Sequence, residues 1–334
     1  MKIVIDKHIP YIAGVVEPVA DVVYAAAADI DVPLVKDARA LIVRTRTRCD
    51  ATLLDGSSVE LICTAAIGTD HIDLDYCRAH GIAVANAPGC NAPAVAQWTL
   101  ATIARWLDKR HLSPTSLTLG VVGVGHVGSI VARWAQRAGM SVLRNDPPRA
   151  EREDETDFCA LNELLEKSDI ITFHTPLTRE GKHRTFHLCD SDFLASATRC
   201  RLLINAARGG ILDERALDSW NGDLALDCWE NEPRINSDLL QRCFVATPHI
   251  AGYSLEGKQR ATAAAVRALE HHFGWNLRLP FVPPGTDDDG LTLADIAASY
   301  DPFLDTEALR RDGGASFEAL RNRYTLRHEP QFKQ

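Results

Sequence analysis

The run Leu119 to Asp146, LGVVGVGHVGSIVARWAQRAGMSVLRND, constrains this chain more than any other stretch. Leu119, Val121 and Val122 make a short apolar run that fits a buried parallel strand. Gly123, Val124, Gly125, His126, Val127 and Gly128 then form a GxGxxG. Its first glycine permits a tight turn, its second lets backbone approach a pyrophosphate, and its third lets helix pack on strand. Apolar residues at Ile130, Val131, Trp134 and Ala138 continue at helical spacing, and Gly139 ends the helix. The helix N-terminus offers free N–H groups to an anion. Ser141 to Leu143 starts a second strand, closed by Asp146 at the fingerprint distance of about 20 residues past the motif. A carboxylate there binds both ribose hydroxyls and repels a 2′-phosphate, so NAD is favoured over NADP. Arg149 tempers that preference.

The rest of the chain repeats the alternation. Strands are predicted at Lys2–Asp6, around Tyr24, and at Ala40–Val43, Glu60–Thr64 and Ile82–Ala85, so the first 90 or so residues form a small α/β domain. Ala92 to Asp108 reads as a long helix linking to the dinucleotide unit. Pro147-Pro148 is expected to break the chain. Leu161–Lys167 is predicted helical. Strands follow at 170–174, 202–205, 224–227 and 244–247. Leu255 to Phe273 is a long helix returning to the first domain, and Pro280 to Gly290 is a linker. The remainder carries short helical patterns at 293–298 and 317–323, either a small appendage or a tail. The pattern predicts a doubly wound parallel α/β sheet, with ligands beyond the carboxyl ends of the strands.

At 334 residues the chain suits two or three domains. Its net charge of −9 argues against a nucleic-acid surface. No apolar run reaches the roughly 18 residues of a membrane span, and the N-terminus lacks a signal-peptide pattern. Nine scattered cysteines without metal-ligand spacing predict reduced thiols, a cytoplasmic setting and no metal.

Thr175, Arg208, Asp227 and His249 all fall at predicted strand ends, where one cleft collects them. His249 suits a general base, since imidazole titrates nearest neutrality. Glu232 suits the partner of its other ring nitrogen. Arg208 offers a planar fork for a carboxylate and an adjacent carbonyl oxygen. Asp227 suits the nicotinamide carboxamide or its ribose. Each has a plainer alternative as a strand cap, a surface ion pair or a solvated turn. Their order behind a dinucleotide site favours hydride transfer from a secondary alcohol. Arg44-Thr45-Arg46-Thr47-Arg48 is a basic, hydroxyl-rich loop, suited equally to phosphate or carboxylate or to solvent. Gly68 lets backbone N–H groups face a ligand.

These segments together, GVVGVGHVG, HTPLT, NAARGGILDE, LDCWENEP and TPHIAG, resemble the D-isomer-specific 2-hydroxyacid dehydrogenases over nearly all of residues 40 to 260. The resemblance implies a Rossmann NAD domain (93–254) inserted into a smaller flavodoxin-like substrate domain built from 1–92 and 255–280. Residues 281–334 follow as a linker and a shortened C-terminal dimerisation region, implying a homodimer. It implies Arg208, Glu232 and His249 as the catalytic trio. Thr175, Ala206, Ala207, Arg208, Asp227 and Gly252 would surround NAD with the glycine motif and Asp146. KIVIDKHIPY, VRTRT, TAAIGTDHID, APGCNAPAVAQ, DPPRAE and HIAGYSLEGK resemble a branch of that family acting on a phosphorylated 2-hydroxy acid. They imply that Thr45 and Tyr253 touch the substrate, with Arg44 or Arg46 and Lys258 at its phosphate and the backbone of Ile67 and Gly68 at its carboxylate. Ala66 stands where relatives carry a hydroxyl. The alternatives are a sibling acting on phosphoglycerate, glyoxylate or D-lactate, or a NAD-sensing, corepressor-like protein.

Overall fold

A computed structural model describes residues 1–153, 157–285 and 291–330. The chain divides into two compact units, Met1–Asn91 with Ser254–Thr286, and Ala92–Tyr253 with Asp287–Gln334. The predicted linker lies outside the described residues from 286 onward.

The first unit holds five parallel strands, β1 (Lys2–Asp6), β2 (Asp21–Ala25), β3 (Ala38–Val43), β4 (Leu61–Thr64) and β5 (Ala83–Ala85), in the order β2-β1-β3-β4-β5. One face packs Val4, Leu41 and Ile62 on Leu54 and Cys77. The other packs Ile3, Ile5 and Ile42 on Ala265, Val266 and Leu269 of the Leu255–Phe273 helix. Strands covered on both faces explain why KIVID and LIC read as unbroken apolar runs. The strand order reverses between β1 and β3. There the Asp6 carboxylate, fully buried, accepts from Arg44 Nε at 2.8 Å.

The second unit has six parallel strands, β6 (Thr118–Val122), β7 (Ser141–Asn145), β8 (Ile170–Phe173), β9 (Leu202–Asn205), β10 (Asp223–Leu226) and β11 (Val245–Ala246), ordered β11-β10-β9-β8-β6-β7. Its switch point lies between β6 and β8, where an open α/β sheet collects ligands. The Ala92–Arg110 helix buries Trp98 and Trp106 against the His126–Arg137 helix and one sheet face. On the opposite face Phe173, Phe193, Leu203 and Leu226 form a separate apolar layer.

Residues 291–330 are woven into these layers. Leu291, Ile296 and Tyr300 join the first, and Leu309 and Phe317 the second. The Pro302–Arg310 helix, absent from the sequence reading, caps the sheet edge, where Thr306 Oγ1 accepts from the Ala246 N–H at 3.0 Å. Pro147-Pro148 does not break the chain. It opens a helical turn, Pro147–Ala150, capped by the Asp146 carboxylate. Proline suits the first helical position because its missing N–H has no partner there.

Candidate active site

The loop after β6 is set by two glycines. Gly123 has φ +85°, and a Cβ on it would lie 2.7 Å from Thr175 Cγ2. A Cβ on Gly128 would lie 2.0 Å from the Gly123 carbonyl oxygen. Only glycine allows that approach of helix to strand. Nothing lies within 4 Å of a Cβ built on Gly125, which caps the His126–Arg137 helix without a side-chain bond. Asp146 fastens the loop from the neighbouring strand. Its Oδ2 accepts from the Val124 N–H at 2.8 Å and its Oδ1 from the Arg149 N–H at 3.1 Å. Arg149 Nη1 donates to the Val124 carbonyl at 2.6 Å, and its Nε donates to Glu153 at 2.9 Å. Thr175 Oγ1, buried beside the loop, has no hydrogen-bond partner among the described residues. An open Gly125, a helix N-terminus, a strand-end carboxylate and an orphaned hydroxyl fit a dinucleotide.

At the ends of β9, β10 and β11 short local devices position the predicted residues, and Glu232 and His249 meet. After β9, buried Asn205 accepts from the Ala207 N–H at 3.1 Å and donates to the Arg208 carbonyl at 2.8 Å, shaping the turn that presents Arg208. Arg208 Nη1 donates to the Ala207 carbonyl at 2.8 Å. After β10, the Trp229 N–H donates to Glu232 Oε1 at 2.9 Å. Glu232 Oε2 and His249 Nδ1 are 2.8 Å apart. Burial alone would raise the Glu232 carboxyl. The bond to His249, the imidazole's charge, the Trp229 N–H and Arg321 outweigh it and hold the group below its usual range. An ionised Glu232 only accepts, so Nδ1 carries the proton and Nε2 is left for a ligand.

His249 sits at φ +57°. Asp227 holds it there. Its carboxylate, 1% exposed, accepts from Thr247 Oγ1 at 2.6 Å, the Ile250 N–H at 2.7 Å and the Ala251 N–H at 3.0 Å. Burial pushes the Asp227 carboxyl up against these bonds and the pull of His249. The carboxylate read from sequence as a nicotinamide or ribose contact is thus engaged within the 247–251 turn.

Two arginines absent from the sequence reading complete this region. Arg327 reaches the turn after His249. It donates to the carbonyls of Ile250 at 3.0 Å, Tyr253 at 3.1 Å and Ala94 at 3.0 Å, and also to that of Ala251. Its Nε donates to Gln97 at 2.9 Å, and its guanidinium lies 4.4 Å over the Tyr300 ring. Arg321 Nε donates to the Tyr253 hydroxyl at 3.3 Å. No local motif marks either residue; both act over long sequence separations. A third unforeseen group is acidic. His187 Nε2 lies 2.7 Å from Glu230 Oε1, and the Glu230 N–H donates to Glu214 at 2.7 Å.

The remaining predicted residues divide between the units. Gly252 and Tyr253 follow His249 in the second. In the first, Thr45 and Arg46 occupy the turn closed by the Thr47 N–H on the Arg44 carbonyl at 3.2 Å. Ile67 accepts from Asn86 Nδ2 at 2.7 Å, ahead of Gly68. Lys258 lies in the first turn of the Leu255–Phe273 helix. Thr47 Oγ1, Thr64 Oγ1 and His71 Nε2 are buried there without partners among the described residues.

Comparison with known proteins bears on all of this. Residues 94–251 match the model of the D-isomer specific 2-hydroxyacid dehydrogenase, NAD binding domain. The erythronate-4-phosphate dehydrogenase of Bacteroides fragilis is 44% identical over 339 aligned residues, covering 98% of this chain and 97% of its own. Among solved structures, the TT0316 protein of Thermus thermophilus has TM-score 0.70 and 28% identity, covering 84% of this chain and 100% of its own. The D-lactate dehydrogenase of Aquifex aeolicus, solved with NAD and lactic acid, has TM-score 0.67 and 25% identity, covering 82% and 96%.

Proposed function

The chain belongs to the D-isomer-specific 2-hydroxyacid dehydrogenases, and from that membership we propose that it oxidises 4-phospho-D-erythronate to 2-oxo-3-hydroxy-4-phosphobutanoate with NAD⁺. The step belongs to the biosynthesis of pyridoxal 5′-phosphate. The observation that carries the reading is the Glu232–His249 contact of 2.8 Å at the ends of β10 and β11, in a unit whose β6 loop fits a dinucleotide.

Gly123 to Gly128, Asp146, Thr175, the Ala206–Arg208 turn and Gly252 hold the cofactor in this reading. Bound NAD⁺ supplies the acceptor for the hydride that leaves C2. Arg208 binds the C1 carboxylate and the C2 oxygen, and its fixed positive charge stabilises that oxygen as its proton departs. His249 Nε2 takes the C2 hydroxyl proton, and Glu232 stabilises the imidazolium that results. Backbone N–H groups near Ile67 and Gly68 meet the carboxylate in place of a hydroxyl at Ala66. Thr45, Arg44 or Arg46, Lys258 and Tyr253 meet the phosphate. Arg44 is supported in this by Asp6, which fixes its side chain at the β1–β3 switch.

The test is NADH formation across phosphorylated and plain 2-hydroxy acids, with His249→Ala beside the parent chain. The highest kcat/KM is expected for 4-phospho-D-erythronate, and His249→Ala loses about 10²–10⁴-fold in kcat with NADH affinity intact. A higher kcat/KM for 3-phosphoglycerate, glyoxylate or D-lactate overturns the substrate. Full turnover by His249→Ala overturns the base.

The same reading makes the protein a cytoplasmic homodimer joined through residues 291–330. Nine cysteines outside any disulfide support the location. Leu304, 68% exposed on the Pro302–Arg310 helix, supports the interface. Sedimentation at the monomer mass overturns the dimer.

A further inference from the structure

The proposed substrate carries an anion at each end, a carboxylate next to the reacting carbon and a phosphate two carbons beyond it. The second unit carries two guanidiniums whose charge reaches Cys228, within the segment between β10 and Glu232. Arg208 comes from the β9 turn, and its role at the carboxylate end is already described. The other is Arg321, on the Phe317–Arg323 helix, and the sequence gives no hint of it.

Arg321 reaches Tyr253. Its Nε donates to the Tyr253 hydroxyl at 3.3 Å, four residues beyond His249. Its side chain is only 19% exposed, so most of a permanent charge is removed from water. The acidic neighbour on its own helix, Glu318, is 3.6 Å away and twice as exposed, at 39%. Burial alone would lower the Arg321 guanidinium, and the Tyr253 hydroxyl, Glu232 and Glu318 together outweigh it and keep the charge in place. Burial pushes the Cys228 thiol up, and the charges of Arg208 and Arg321 both reach it and pull the other way; Arg321 also acts on Glu232. A guanidinium held this way presents a rigid fork matched to a tetrahedral dianion. Its helix also lies outside residues 94–251, the span the family model matches. A group that distinguishes one substrate from its siblings belongs outside the machinery those siblings share.

Resting on the substrate reading above, we propose that Arg321 is a specificity-determining residue that binds the distal phosphate together with Tyr253. The carboxylate end is read by Arg208, and Arg321 adds a contact from the C-terminal region to the groups already placed at the phosphate end. The two ends of the substrate are thus fixed independently, and the C2 hydroxyl is set between them against His249.

The test compares Arg321→Gln and Arg321→Lys with the parent chain on 4-phospho-D-erythronate and on unphosphorylated D-erythronate, with inorganic phosphate as a separate probe. A charge-assisted bond of this kind is worth roughly 10- to 100-fold. Arg321→Gln is expected to lose about that factor in kcat/KM on the phosphorylated acid, mostly through KM, and little on D-erythronate. Arg321→Lys falls between, retaining charge without the fork. NADH affinity and Tm stay near the parent's, and binding of inorganic phosphate weakens by the same factor as turnover. An equal loss on both acids, or impaired NADH binding in the lysine variant too, makes Arg321 a structural support and overturns the proposal. Unchanged kcat/KM on the phosphorylated acid overturns it as well. A parent chain inactive on 4-phospho-D-erythronate sinks the substrate reading itself, and the phosphate titration then still decides whether Arg321 binds that anion.

Discussion

His249 and Glu232 were readable as a pair because chemistry restricts which residues do that work and because their order behind a glycine motif is informative. Arg321 and Arg327 were not readable. Arg321 reaches the Tyr253 hydroxyl and Arg327 reaches carbonyls and an amide far back in the chain, and nothing local in RNRYTLRHE distinguishes a buried arginine from a solvated one. Glu214 belongs to the same class. It sits within NAARGGILDE next to Asp213, yet only the fold brings Glu230 and Glu232 around it. Burial first, then those three charges, pushes its carboxyl up to about 7. The folded chain therefore keeps a proton that the unfolded chain releases in the ordinary carboxylate range near 4.5. Between those two values stability falls as pH rises, and above about 7 the whole penalty applies. Discounted for the part of the group that water still reaches, it amounts to about 1–2 kcal/mol. Glu214→Gln keeps an acceptor for the Glu230 N–H and removes the charge. Its Tm should exceed the parent's by about 2–6 °C at pH 8 and match it at pH 5, in thermal melts at both values. A gain of equal size at both would mean the effect is packing rather than ionisation.

At the scale of elements, the strands were legible because a parallel strand covered on both faces is a short apolar run with few other readings. β1, β9 and the Leu255–Phe273 helix match their predicted limits, and the other strands shift by a residue or two. The Pro302–Arg310 helix escaped because its inward face is partly polar. Thr306 and Asp305 face partners there rather than solvent, Thr306 on the Ala246 N–H and Asp305 on the Tyr300 hydroxyl, so the apolar rhythm fails. The Pro147–Ala150 turn escaped for the converse reason. A proline pair reads as a breaker until the carboxylate before it is seen as a cap. The β6 loop makes a sharper forecast. Alanine at position 128 is the better helix former by about 1 kcal/mol, but its methyl would meet the Gly123 carbonyl at 2.0 Å. Gly128→Ala should therefore lower Tm and weaken NADH binding by about 10-fold or more, in fluorescence titration and thermal melts. Unaltered NADH affinity would show that the loop is more yielding than its geometry implies.

At the scale of the molecule, the alternation of strands and helices predicted a parallel α/β fold, and two parallel sheets of five and six strands are present among the described residues. The part played by residues 291–330 was not legible, because their short helices are recognisable as core only beside the surfaces they cover. Ile296, Leu309 and Phe317 are almost wholly buried. Each contributes about 1.5–3 kcal/mol, against a total stability of about 5–15 kcal/mol. Ending the chain after Pro284 should thus cost the second unit its cooperative fold. Calorimetry should find its transition lost or moved down by more than 10 °C. A truncated chain melting with the parent would show that these helices are an appendage after all.

The Arg327 contacts have a consequence in time. Arg327 stands 77 residues beyond Ile250, one of the carbonyls it fastens. Synthesis is vectorial and folding follows it from the N-terminal side. While residues 291–330 are still to come, the eleven strands of the described residues have all been synthesised, yet the second unit lacks both the helices that complete its core and the clasp on the segment carrying His249. Cofactor binding and turnover should therefore appear together, and only after residue 327 has left the ribosome.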